Sequence, residues 1–236
     1  MSQKLSTPDW RSKRAVLFDM DGVLYDSMPL HSKAWCSAMA EFGYHMTPED
    51  VYRNEGCTGT YTVRRISERE GRPAASEEEV RRIYMRKSEL FCGQPQAPLM
   101  PGARDVLAKA GAAGLLILVV TGSGQTTLIE RVQRDFDGFV RRNLMVTSFD
   151  VQRGKPFPDP YLKGLEIGGI SADDAVVVEN APLGIRSARA AGIDTIAVNT
   201  GPLADEILLK EKPSLLLHSM TELADNWERL FSEPAV

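Results

Sequence analysis

Two aspartates, Asp19 and Asp21, close a short apolar run, Ala15-Val16-Leu17-Phe18, and are followed by Gly22. Side chains at i and i+2 of an extended segment point to the same side. Carboxylates held that close repel, so the pair needs a cation or splits its pKa values. With Mg²⁺ beside it, one carboxylate can attack a phosphorus centre as a nucleophile while the other works as acid and base. The same D-x-D-G pattern is also an ordinary turn or a Ca²⁺-loop fragment, so the pair alone does not decide.

Three further islands bear on that choice. Thr121-Gly122-Ser123-Gly124 follows the apolar run Leu115–Val120. A hydroxyl with free backbone N–H groups at a helix start makes an anion site, although a plain strand-to-helix turn reads the same way. Thr127 occupies the third glycine position of a dinucleotide fingerprint, which excludes that motif. Lys155 stands in Arg153-Gly154-Lys155-Pro156, its backbone restrained by the proline. It suits a phosphate as a point charge or is a solvated surface lysine. Glu179-Asn180 ends the run Ala175–Val178 ahead of Pro182. Two oxygen donors there suit a hard cation, and Asn180 also suits a helix N-cap.

The elements that must position these islands alternate. Short, nearly continuous apolar runs occur at Ala15–Phe18, Leu115–Val120, Leu144–Thr147, Ala175–Val178, Thr195–Val198 and Ser214–Leu217. Strands buried on both faces of a parallel sheet look like this. Helical patterns separate them at Ala103–Ala113, Gln125–Asp135, Asp159–Ile167, Pro182–Ala191 and Leu203–Lys210. The rhythm predicts an α/β fold, a Rossmann-like parallel sheet with helices on both faces. Every island falls just after a strand, and ligands of open α/β sheets bind outside the carboxyl ends of the strands. Residues 30–98 differ, carrying helix patterns and no convincing strand. His31–Phe42 has a helical period, Thr47 and Ser76 read as N-caps, and a Pro/Gly-rich stretch, Gly93–Gly102, leads back to the sheet. The expected organisation is an α/β core of 1–29 and 99–236 with a small all-helical cap of 30–98 inserted after the first strand.

Composition narrows the function classes. The chain has 236 residues and a formal net charge of −4, a poor footprint for nucleic acid but no bar to a small anion. Cys36, Cys57 and Cys92 are widely spaced, which fits a reducing cytosol better than a disulfide framework, so a cytoplasmic location is expected. The polar N-terminal stretch lacks the apolar segment of a signal peptide, and no run approaches a membrane span. Nothing demands an oligomer, so a monomer is expected.

Asp19-x-Asp21, Thr121, Lys155 and Glu179-Asn180, in that order and at strand ends, resemble the four motifs of the haloacid dehalogenase superfamily. The helical insert directly after the first motif is similar to its C1-type cap and places the chain near β-phosphoglucomutase and the related sugar-phosphate phosphatases. The resemblance implies Asp19 as nucleophile and Asp21 as general acid/base. It implies Thr121, Gly122 and Lys155 around the transferring phosphoryl group. It also implies Mg²⁺ held by Asp19, the Asp21 backbone carbonyl, Glu179 and Asn180. His31 and Trp35 fall where β-phosphoglucomutase carries a substrate-side His and Trp; at i and i+4 they share one helix face. Two departures stand out. Gly59 occupies the position of the mutase's distal-phosphate Arg, with Arg64 and Arg65 further on as substitutes, and Asn180 replaces the usual Asp. The leading expectation is hydrolysis of a small sugar phosphate or related phosphorylated metabolite. The alternatives are β-phosphoglucomutase chemistry, a dehalogenase, which has no use for Asp21, and an idle phospho-metabolite binder.

Overall fold

The computed structural model describes residues 9–124 and 126–231. Most of the polar N-terminal stretch, and Gln125, where one helix was expected to open, lie outside them. Six parallel strands form one sheet in the order β3-β2-β1-β4-β5-β6. They are β1 (Ala15–Phe18), β2 (Leu116–Val120), β3 (Met145–Val146), β4 (Ala175–Glu179), β5 (Asp194–Val198) and β6 (Leu215–Leu217). The fold is Rossmann-like, with helices on both sides.

The sheet explains why its strands lack an alternating polar pattern. Val16 and Phe18 face one core with Ile117, Val119, Val176 and Val178, beneath α5 (Ala103–Ala112), α6 (Thr126–Asp135) and α10 (Met220–Phe231). Ala15 and Leu17 face the other with Leu118, Val120 and Val177, beneath α7 (Asp159–Gly168) and α8 (Pro182–Ala190). Both faces are dry, so both parities of each strand are apolar. After β1 the chain crosses to β2 on one side, and β4 lies on the other. The carboxyl end of β1 is therefore the switch point of the sheet, where the flanking loops part and leave a crevice. Asp19 is the first residue beyond that strand end.

Two elements are shorter than expected. Residues Arg142–Leu144 form a 3₁₀ turn, which leaves only Met145 and Val146 for β3. The expected Leu203–Lys210 helix is the five-residue α9, Asp205–Leu209.

Between β1 and α5 lie only helices: α1 (Met28–Glu41), α2 (Pro48–Arg53), α3 (Gly59–Arg69) and α4 (Glu77–Cys92). They bury a core of their own that includes Met39, Val63, Ile66 and Ile83. Thr47 caps α2 with a reciprocal box through Asp50. Ser76 accepts the Glu79 N–H at 3.2 Å, but Glu79 does not complete the box; its carboxylate accepts the Tyr44 hydroxyl at 3.0 Å. Among the described residues no helix is long and apolar enough to cross a membrane, and Cys36, Cys57 and Cys92 are free thiols.

Gly102 closes the return from the helical layer. Its φ is +85°, and a Cβ there would fall on the backbone nitrogen of Thr221 at the start of α10. Gly102→Ala adds left-handed strain to overpacking and should cost roughly 2 kcal/mol or more. The check is a urea melt: a lower midpoint with an unchanged slope is expected.

Candidate active site

The sheet's switch point places an ammonium group between two carboxylates. Lys155 Nζ donates to Asp19 Oδ1 at 2.5 Å, to Glu179 Oε1 at 2.6 Å and to the Val120 carbonyl at 3.2 Å. Its side chain is 0% exposed, which rejects the solvated-lysine reading. The buried Tyr161 hydroxyl also donates to Glu179 Oε1, at 2.8 Å. Glu179 Oε2 accepts the backbone N–H groups of Asn180 and Ala181 at 3.0 and 3.2 Å. A Cβ on Gly184 would fall on the Glu179 carboxylate, so only glycine fits that first turn of α8. Burial opposes the charge on Lys155, but Asp19 and Glu179 hold its pKa well above the ordinary value. Burial, with help from Glu179 and Asp21, outweighs the pull of Lys155 and raises the Asp19 carboxyl to about 7.

Asp21 belongs to a second network. Its Oδ1 accepts Ser27 Oγ–H at 2.6 Å and lies 3.2 Å from His31 Nε2. His31 Nδ1 lies 2.9 Å from Lys87 Nζ. A protonated Lys87 can only donate, so Nδ1 accepts and Nε2 carries the proton offered to Asp21. Burial works to raise the Asp21 carboxyl, yet His31, Ser27 and Lys87 outweigh it and hold it below the usual range. Burial, then the Lys87 charge, keeps His31 below its ordinary value, so the ring is the neutral relay between them. The His31 ring stacks on Phe91 at 4.2 Å between centroids, and Lys87 Nζ lies 5.6 Å from the Trp35 ring centroid. His31 and Trp35, paired by their i, i+4 spacing, thus both reach the site.

A cavity of about 50 Å³ lies between the helical layer and the sheet. Asp21, His31, Trp35, Glu55, Lys87 and Gly122 are on its wall. Burial, then Asp21 and Asp19, raises the Glu55 carboxyl well above its ordinary pKa. Thr121 is buried beside this chamber, and its Oγ1 accepts the Ser123 N–H at 3.0 Å. Gly122 is there for clearance: a Cβ would approach the Gly56 carbonyl oxygen to 2.7 Å.

Asn180 does not cap α8; Ala181 holds the cap position, and the Glu179 carboxylate serves the free N–H groups instead. The Asn180 side chain lies against Gly22, which has φ +83°. Its Oδ1 is buried and accepts no hydrogen bond, one of two such side-chain atoms among the described residues. That orphaned oxygen, near a buried carboxylate, is what a hard cation such as Mg²⁺ would satisfy. Among the described residues no three His, Cys, Asp or Glu side chains form a metal cluster by themselves, so amide or backbone oxygens must complete any such set.

Sequence reasoning missed Ser27, Glu55, Lys87 and Tyr161. Lys87 carried a readable signal, because it sits on the buried stripe Val80, Ile83, Lys87, Phe91 of α4, where a lysine has no packing reason to be. Glu55 carried none. Arg64 and Arg65, weighed as substitutes for a distal-phosphate Arg, are not on the wall of that cavity. Gly59 packs against the Tyr84 ring and leaves no space for a side chain.

The chain is similar to several known proteins. The family model for haloacid dehalogenase-like hydrolases matches residues 16–198. Hexitol phosphatase A of Escherichia coli K12 is 32% identical over 212 residues, 89% of this chain and 93% of its own length. A candidate pyrophosphatase of Caldanaerobacter subterraneus is 30% identical, covering 89% and 92% of the two chains. A solved structure of a candidate β-phosphoglucomutase from Bacteroides vulgatus superposes with a TM-score of 0.87 at 51% identity, over 92% of this chain and 88% of that one.

The Tyr161 hydroxyl is the simplest part of the inner network to remove. Tyr161→Phe deletes one donor to a buried carboxylate and should destabilise the fold by about 1.5–3 kcal/mol. Chemical denaturation of the pure variant checks this, and no change in midpoint would reject the contact.

Proposed function

The chain belongs to the haloacid dehalogenase-like hydrolase family, as a phosphatase or phosphomutase, and we propose that it hydrolyses a small phosphorylated metabolite through a phosphate ester on Asp19. One observation carries this reading: two carboxylates one residue apart sit in separate networks, Asp19 on Lys155 and Asp21 on His31. Two groups kept in different environments can take different roles.

In the first half-reaction an Asp19 oxygen attacks phosphorus, and the bond to the leaving oxygen breaks as that oxygen takes a proton through Asp21, which is supplied in turn by His31 as Lys87 passes its own proton to the ring. In the second, Asp21 takes a proton from water, whose oxygen attacks the same phosphorus and frees Asp19. Thr121, Gly122 and Lys155 hold the phosphoryl oxygens, and most of phosphoryl transfer is such positioning and charge stabilisation. Asp19, the Asp21 backbone carbonyl and Asn180 would hold Mg²⁺, with Glu179 fixing Lys155 beside them. Bound there, Mg²⁺ supplies charge that keeps Asp19 ionised and offsets the anionic substrate.

Hydrolysis is favoured over isomerisation by the cavity. A bisphosphate needs a cation for its distal end; Gly59 supplies none, and Lys87, the cation on that wall, is engaged by His31. Sugar phosphates are the substrate class suggested by the hexitol phosphatase relative. A second reading, a small phosphoanhydride such as pyrophosphate, draws on the size of the chamber and on the pyrophosphatase relative. About 50 Å³ is far below the ~300–1,000 Å³ of usual ligand pockets. A leaving phosphate is compact and far less basic than a sugar alkoxide, so it needs little help from an Asp21 held ionised.

A panel of hexitol and hexose phosphates, pyrophosphate, and β-glucose 1-phosphate with a trace of glucose 1,6-bisphosphate separates these readings. Free phosphate should dominate, and glucose 6-phosphate forming faster would instead select the mutase. Fastest turnover of pyrophosphate would select the anhydride. Asp19→Asn should abolish turnover of p-nitrophenyl phosphate, and chelation by EDTA should do so reversibly. Lys155→Ala should lower kcat/KM by about 10²–10³, the usual loss for one transition-state donor; a value within twofold of wild type would remove Lys155 from the mechanism.

A further inference from the structure

Outside that chamber, a groove of about 860 Å³ follows the seam between the helical layer and the sheet. One wall is α3 with Thr58 before it, the other residues 152–157. Its charged lining is Arg64, Arg65, Arg72, Arg153 and Lys155 against Glu68 alone, in a chain of net charge −4. Several of these cations are already engaged. Lys155 turns its ammonium inward to Asp19, Arg153 forks onto Asp159 at 3.0 and 2.9 Å, and Arg72 lies over the Tyr44 ring. Arg64 and Arg65 are exposed, and among the described residues neither pairs with a carboxylate. Adjacent unpaired guanidinium forks suit phosphate oxygens, which they can grip in bidentate fashion.

The two walls belong to different layers that already touch at the groove floor. A Cβ on Gly154 would stand 3.0 Å from Thr58 Cγ2. Asp159 takes only Nε and Nη2 of Arg153, so an anion long enough to reach from α3 to its Nη1 spans the seam, and the volume is that of a drug-sized ligand rather than of one phosphate. A ligand that needs both walls binds the juxtaposed arrangement better and shifts the population toward it.

We infer that this groove is a second anion site, which takes a polyphosphate chain, free or carried by a nucleotide, and clamps the helical layer onto the sheet. Lys155 backs this groove with its ammonium turned inward, but Arg64 and Arg65, which would grip the anion, are on neither network around Asp19 and Asp21.

The test is calorimetric titration of the metal-free wild-type protein, and of an Arg64→Ala/Arg65→Ala variant, with inorganic tripolyphosphate and separately with ATP. Both substitutions are on the surface, and the variant should keep wild-type turnover of p-nitrophenyl phosphate. Tripolyphosphate should bind wild type at least tenfold more tightly than the variant. It should also slow proteolysis within residues 93–98 in wild type alone. Equal binding by ATP would identify the recognised end of a nucleotide, and tripolyphosphate binding without ATP a free chain. No binding, or equal affinity in both proteins, would overturn the site; unchanged proteolysis would overturn the clamp.

Discussion

Lys155 Nζ lies within 2.6 Å of two carboxylates and carries no exposed surface, and the rest of the site is arranged around that fact. An ammonium and two carboxylates removed from water are costly unless every remaining proton and lone pair finds a partner. The fold supplies those partners from separate elements: the Val120 carbonyl from β2, the Tyr161 hydroxyl from α7 and two N–H groups at the start of α8. Three strand ends and two helices therefore have to be in register before the charges can be buried. The sheet does not gain its stability from this cluster. Its two apolar faces hold it, and the cluster spends part of that stability on keeping a charged group poised.

Asp21 shows what the helical layer adds. Only one residue separates it from Asp19, yet its partners His31 and Lys87 come from α1 and α4. The acid/base candidate is thus wired to the helices and the nucleophile candidate to the sheet. Movement of one layer against the other would disconnect Asp21 from its relay and leave Asp19 on Lys155. The environment of that single carboxylate therefore depends on how the helical layer packs on the sheet. Two glycines along the seam allow that packing: Gly122 lets its backbone meet that of Gly56, and Gly56 leaves room for the Lys155 side chain.

Much of this was legible in the residues. The six apolar runs fall on the six strands, and their continuous apolar character follows from burial on both faces. The helical character of the intervening segment and the capping role of Thr47 follow from local chemistry that needs no tertiary context. Local rules failed where a partner came from elsewhere: Glu79 left its box for Tyr44, and Asn180 gave up the cap position because the Glu179 carboxylate already served those N–H groups.

The sequence by itself determined the strand-ending islands and their order, because hydrophobic period and turn residues are properties of neighbours along the chain. Tertiary structure alone decided that Lys155 is shared by Asp19 and Glu179, that His31 reaches Asp21 through space, and that Glu55, Lys87 and Tyr161 belong to the site at all. Those relations depend on strand order and on how one layer packs on another. Separations such as the 136 residues between Lys155 and Asp19 leave no trace in local spacing.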